Sequence, residues 1–173
     1  MTLAASDATV HSAYRFGAMA LLLAAAAIVI ALGFEHLGGY APCELCLQQR
    51  YAYYAGVPLL FLALVALSAG QPRGAAVLFV VVALAFLANA ALGVYHAGAE
   101  WHFWPGPAAC SGAQQITTNA GNMLEALQQT NVVRCDQAAW RLAGISFAGW
   151  NVVTSLLVVL LSIRASGEAL RAR

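Results

Sequence analysis

Four strongly apolar stretches of this chain contain no Asp, Glu, Lys or Arg: residues 16–34, 51–72, 74–99 and 142–163. A soluble domain carries about 25% charged residues. Here 9% of 173 residues are charged and 62% are hydrophobic, too few charges to cover a water-facing surface. A helix needs about 20 apolar residues to cross the hydrocarbon core. Backbone polar groups in lipid must be satisfied within the segment, so each stretch is expected to be helical. The sequence predicts an all-α integral membrane protein, one membrane domain over 1–173. It is a four-transmembrane-helix bundle with spans at about 15–34, 51–69, 75–97 and 142–163. The first apolar run is longer than the core of a signal peptide, about 7–15 residues, and three more follow. It is expected to stay as a helix.

Charge sets the orientation. One side holds the N-terminus, the turn "SAGQPRG" and the C-terminus, with Arg15, Arg73, Arg164, Arg171 and Arg173. The other holds residues 35–50 and 98–141, with Arg50, Arg134 and Arg141. The excess of arginine places both termini in the cytoplasm. In a bacterial protein, 35–50 and 98–141 are then two periplasmic loops of an inner-membrane, multi-pass protein. Tyr51, Tyr53, Tyr54, Tyr95, Trp101, Trp104 and Trp140 crowd the outer ends of the spans, as an interfacial belt does. The net charge is +1 and no basic cluster occurs, so the expected partner is the lipid bilayer and no nucleic acid.

All four cysteines, Cys43, Cys46, Cys110 and Cys135, fall in the two outer loops. Disulfides persist on that side of a bacterial membrane. Spacing suggests Cys43 with Cys46 and Cys110 with Cys135, although four cysteines allow three connectivities. Two structural staples are one reading. An all-cysteine zinc site lacks a second close pair, covalent haem lacks a histidine after "CELC", and no metal ligand set is assigned. A bridge across two residues constrains the unfolded chain little, so the close pair points toward thiol–disulfide exchange. Cys46 and Arg50 stand at i and i+4, on one face of a helix that starts near Cys46. The helix dipole and the cation both favour a Cys46 thiolate. Arg50 could equally anchor the helix end by snorkelling. His96, near the outer end of the third span, is either an interfacial residue or a headgroup and proton ligand. Residues 113–131 place Ile116, Ala120, Met123, Leu124 and Leu127 on one face, an amphipathic segment between Cys110 and Cys135.

"PCELCLQQR" at 42–50, the histidine of "YHAGAEW" at 96, "FWPGPAAC" ending at Cys110 and "VVRCD" with Cys135 together resemble the DsbB family of disulfide bond formation proteins. The likeness covers nearly the whole chain. It implies a quinone-linked thiol oxidase, using ubiquinone or menaquinone from the quinone pool. A periplasmic thioredoxin-fold protein similar to DsbA would attack at Cys110, with Cys135 as the leaving thiol. Electrons would pass to Cys43 and Cys46. Cys46 would form the thiolate that meets the quinone, Arg50 would polarise the quinone carbonyl, and His96 would lie near that site. The segment between Cys110 and Cys135, rich in glutamine and small residues, departs from the family pattern. Two alternatives stand beside this one. A vitamin K epoxide reductase-like enzyme would carry its redox pair near a later span, and a non-catalytic tetraspan scaffold would use the cysteines as staples.

Overall fold

The computed structural model of the protein describes residues 2–107 and 135–172, with side chains from Ala8 onward. Four helices dominate: α1 (Thr2–His36), α2 (Glu44–Ser68), α3 (Pro72–Glu100) and α4 (Phe147–Arg171). All four are long and apolar enough to cross a membrane. The shorter ones, 25 residues each, extend about 37 Å at 1.5 Å per residue, more than a hydrocarbon core of about 30 Å. Every helix differs in extent from its charge-free stretch. α1 begins well before Arg15, α2 already at Glu44, and α3 runs on to Glu100. Cys46, Arg50 and His96 are therefore helical residues. Cys110 and the amphipathic segment expected over 113–131 lie outside the described residues.

The fourth helix starts late, at Phe147 rather than near 142. Residues 141–146 form a small antiparallel hairpin instead: β1 (Arg141–Leu142) pairs with β2 (Ile145–Ser146), Arg141 opposite Ser146. Its two-residue loop has positive φ at both positions, Ala143 at 52° and Gly144 at 80°. That is the twist a type I′ turn requires, and glycine takes the second position without strain. Ser146 then caps α4, its Oγ accepting the Gly149 N–H at 3.2 Å. The turn "SAGQPRG" matches its sequence. Gly70 takes a left-handed conformation (φ 71°) just past α2, and Pro72 opens α3 where its missing N–H costs nothing.

The helices form a ring in chain order. α1 packs on α2, α2 on α3, α3 on α4, and α4 back on α1, while α2 and α4 face each other across the interior. Lipid gives no hydrophobic force between helices, so association depends on close fit and buried polar bonds. Small residues supply the fit. Ala13, Gly17, Ala20 and Ala24 fall at helical spacing on one buried face of α1. A Cβ on Gly17 would come within 2.7 Å of the Phe79 ring. Gly56 of α2 seats the edge of Phe86, a fully buried ring that also meets Tyr53 edge-on at 5.0 Å. Leu22, Val29, Leu84 and Leu160 point outward, as lipid-facing residues do.

Buried amides and hydroxyls cross-link the ring. Tyr53 of α2 donates to Asn151 Oδ1 on α4 at 2.7 Å, and its hydroxyl lies 2.9 Å from Thr154 Oγ1. Asn89 of α3 donates to Asn151 Oδ1 at 3.1 Å and to Ser155 Oγ at 3.0 Å. Three helices thus share one polar knot beneath their outer ends. A methyl group at position 56 would push Phe86 into Tyr53 and disturb this knot. Gly56→Ala is expected to destabilise the protein by about 1–3 kcal/mol, the usual cost of overpacking. Gly33→Ala, where nothing lies within 4 Å, should leave stability unchanged or slightly higher. Thermal unfolding in detergent checks both, and equal melting temperatures would refute the packing account.

Candidate redox site at the outer end of the bundle

Cys43 is the N-cap of α2. Its backbone is extended, and its Sγ accepts the Cys46 N–H at 3.3 Å. The helix therefore begins on a sulfur. Cys46 lies one turn inward, and the two sulfurs are 2.8 Å apart. The sulfurs are in hydrogen-bond contact, the geometry of a dithiol. Gln49, Arg50 and Tyr53 continue the same helical face.

α3 brings His96 to the pair. The ring is buried, with Nε2 3.6 Å from Cys43 Sγ and Nδ1 3.0 Å from Gln49 Nε2. An amide nitrogen only donates, so Nδ1 is the acceptor and the ring proton sits on Nε2, facing the sulfur. Glu100, one turn on, places Oε1 3.7 Å from the same Nε2. Its other oxygen, Oε2, is buried and has no hydrogen-bond partner among the described residues. The hydrogen bond from Cys46, then those from His96 and the Cys46 N–H, outweigh burial and pull the Cys43 thiol down to about 5. Sequence reasoning put the stabilised thiolate on Cys46. Here the lowered thiol is Cys43, the cap of the helix.

Arg50 meets a partner that sequence reasoning did not supply. Its Nη1 forms an ion pair with Glu35 Oε2 at the end of α1, both side chains partly buried. Both groups line a cavity of about 440 Å³ that also touches Cys43, Cys46, His96 and Asn151. Ile28, Phe34, Trp140 and Phe147 give it apolar walls. Phe34, Trp140 and Phe147 pack ring on ring at 5.0–5.2 Å.

Cys135 is fully buried in one cluster with Cys43 and Leu45, against which Cys46 and Leu92 pack. It is disulfide-bonded. Its expected partner, Cys110, lies outside the described residues. Of the six residues singled out from sequence, five therefore converge: Cys43, Cys46, Arg50, His96 and Cys135. Sequence reasoning missed Glu35, Gln49, Glu100 and Asn151. Charge or amide groups at the edge of a span need partners, and that signal was available for each.

The lowered Cys43 thiol has a kinetic signature. A depressed thiol keeps its thiolate as pH falls until the pH reaches its own value. Alkylation of the dithiol form by iodoacetamide should change little between about pH 8 and pH 6 and fall below about pH 5. Peptide mapping should find the label on Cys43. His96→Ala should move the fall to higher pH, and an inflection near the ordinary thiol value of about 8.5 in the unaltered protein would refute the assignment.

Comparison with known proteins agrees with this arrangement. The family described as "Disulfide bond formation protein DsbB" matches residues 14–165. A protein of Aromatoleum aromaticum named "Disulfide bond formation protein B" is 28% identical over 161 residues, covering 87% of this chain and 93% of the relative. One of the same name from Marinobacter nauticus is 31% identical over 158 residues, covering 86% and 89%. No solved structure matches the chain significantly. A match spanning all four helices, with the cysteine pair, Arg50 and His96 gathered at one end, means that the chain belongs to the DsbB family.

Proposed function

We propose that this protein is a disulfide-forming oxidoreductase that reoxidises a DsbA-like periplasmic dithiol protein and delivers the electrons to a membrane quinone. The observation that carries the proposal is the shared cavity. Cys46 and Arg50 line an apolar-walled space at the outer end of a four-helix bundle, while Cys43 on the same cavity packs with Cys135. Names of the relatives support disulfide bond formation. The alternative of a staple-only scaffold is disfavoured, because the close pair opens on the cavity and is surrounded by buried polar groups.

The thiol steps take Cys110 as the entry point, as the family resemblance implies, and the packing of Cys43 with Cys135 supports the relay between the pairs. The partner's thiolate attacks Cys110, forming a mixed disulfide and releasing Cys135 as thiolate. Cys135 attacks Cys43 of an oxidised Cys43–Cys46 bridge, and Cys46 leaves as thiolate. The partner's second thiol resolves the mixed disulfide and departs oxidised, freeing Cys110. Cys110 then attacks Cys135 and expels Cys43. Two electrons now reside on Cys43 and Cys46. A thiol of low pKa leaves fastest, so the lowered Cys43 suits the final exchange.

The donor set fits a quinone headgroup. The volume lies within the usual range for small-molecule pockets, about 300–1,000 Å³. Its walls are apolar, and Arg50 and Asn151 offer N–H donors, the Asn151 Nδ2 being buried without a partner among the described residues. Arg50, Asn151, Phe34 and Phe147 would hold the group; ubiquinone and menaquinone both meet that description. Once bound, a quinone supplies an acceptor for two electrons and two protons. Glu35 keeps Arg50 directed at the cavity mouth, and His96 holds the Cys43 charge. The bilayer location is then the bacterial inner membrane, with both termini cytoplasmic and the two cysteine loops periplasmic.

Two experiments test the two halves. Cys135→Ala leaves Cys110 as a free thiol, which can attack the disulfide of an oxidised DsbA-like protein and displace one of its thiolates, so a mixed disulfide between Cys110 and that protein should accumulate on non-reducing gels. If nothing is trapped while Cys110→Ala does trap, the roles are exchanged. On the quinone side, Arg50→Ala should raise the apparent quinone KM about 10–100-fold, the loss of one charge-assisted hydrogen bond. Arg50→Lys should fall between, since a point charge replaces a planar fork. Arg50→Ala with Glu35→Gln removes any effect of the orphaned carboxylate. Single-turnover oxidation of the partner without quinone should be unaffected throughout. Unchanged quinone kinetics would make Arg50 an interfacial anchor only.

A further inference from the structure

Cys43 Sγ, Cys46 Sγ and a nitrogen of His96 all lie within 4.8 Å of one another. In a tetrahedral zinc site, ligand distances of about 2.3 Å for sulfur and 2.0–2.1 Å for nitrogen place sulfur and nitrogen about 3.6 Å apart and two sulfurs about 3.8 Å apart. Cys43 Sγ and His96 Nε2 are at 3.6 Å. The sulfurs are at 2.8 Å and need to open by about 1 Å, a displacement that rotation of the Cys46 side chain can supply. Glu100 stands 3.7 Å from the same nitrogen and is buried, with Oε2 unpartnered among the described residues. A buried carboxylate oxygen without a hydrogen bond is costly, and a cation beside it would remove that cost.

We propose that the dithiol form of this site binds one soft divalent cation of the zinc class through Cys43, Cys46 and His96 Nε2, with the Glu100 carboxylate closing the fourth position. The inference does not depend on the quinone reading. Binding involves no redox change. The cation displaces the thiol proton of Cys46 and the proton on Nε2, and each sulfur keeps its electrons. The imidazole regains a proton on Nδ1, and the Gln49 amide turns to present Oε1 to it. That is the outer support metal-bound histidines usually have. The bridged form has lost both thiolates and cannot coordinate, so binding is gated by the redox state of the pair. A bound cation would hold the electron-loaded pair reduced and stall turnover until a chelator removes it.

Cobalt(II) and zinc(II) are the probes. Protein carrying Cys110→Ser and Cys135→Ser, reduced with a phosphine, retains only the Cys43 and Cys46 thiols. It should take up one equivalent of cobalt with the intense visible bands of a four-coordinate ion and a thiolate-to-metal charge-transfer band. Zinc should displace the cobalt. The same protein oxidised across Cys43 and Cys46 should bind neither. His96→Ala and Glu100→Gln should each weaken binding about tenfold or more, in the range known for metal-site support. Weak octahedral cobalt spectra, equal uptake by the oxidised form, or undiminished affinity in His96→Ala would each overturn the proposal. If His96→Ala does not fold, the cobalt spectrum of the two-serine protein decides alone. Failure here would leave quinone reduction by the unaltered protein intact, and loss of quinone reduction would not abolish the cobalt spectrum.

Discussion

The site depends on a helix that begins on a sulfur. Cys43 caps α2 with its thiol, and this fixes Cys46 one turn inside. The first turn of a helix presents unsatisfied N–H groups and the positive end of the dipole, so it favours negative charge. A thiolate there replaces the usual Ser or Asp cap and gains the same hydrogen bond. The cap also sets depth. From it, the helical repeat carries Gln49, Arg50 and Tyr53 down the cavity wall, and α3 supplies His96 and Glu100 at the same level. Moving the start of α2 by one residue would turn the whole face away.

Cys43 is also the junction between two environments. One side of it packs on Cys135 and Leu45. The other opens on a cavity bounded by α1, α2 and α4. Thiol exchange requires near-contact of sulfurs, whereas a lipid-soluble acceptor requires an apolar entry. A residue at a helix start can serve both, because the chain before it belongs to a loop and the chain after it to the bilayer. The polar knot of Tyr53, Asn89, Asn151 and Ser155 keeps α2, α3 and α4 in register just below. Such bonds between membrane helices are worth about 0.6–2 kcal/mol each.

Much of this was legible from charge alone. Gaps between charged residues gave the number of helices, and the positions of Cys43, Cys46, Arg50 and His96 at the ends of those gaps gave their common level. Helix ends were less legible, because a charge can sit on the last helical turn, as Glu35 and Glu100 do. The hairpin at 141–146 hid inside an uncharged run, since hydrophobicity does not register turn geometry; Ala143–Gly144 was its only local signal. Contacts between helices were not legible. Arg50 was read with Cys46, four residues away on its own helix, but its ion-pair partner comes from α1. Glu35 had been used only to mark where a span stops. Asn89 and Asn151 lie within apolar runs, and polar groups there call for a partner, yet sequence does not say which helix faces which.

Charge placement shows how such a site persists at a membrane edge. An unpaired Arg50 would gain most by reaching for headgroup phosphates, away from the cavity. Glu35 holds it back at the mouth, and the pair adds no net charge to a low-dielectric region. The cation thus keeps a charged partner at the mouth of the cavity without being fully exposed to water. The cysteine pair follows the same logic. Cys43 keeps its charge next to a helix start, a thiol donor and an imidazole N–H, so the negative charge is already solvated by protein before any acceptor arrives. Preorganised donors of this kind spare the reorganisation that water would require. Glu100 is the exception. Its second oxygen is buried without a partner among the described residues, so the site retains one unmet demand for a proton or a cation beside the cysteine pair.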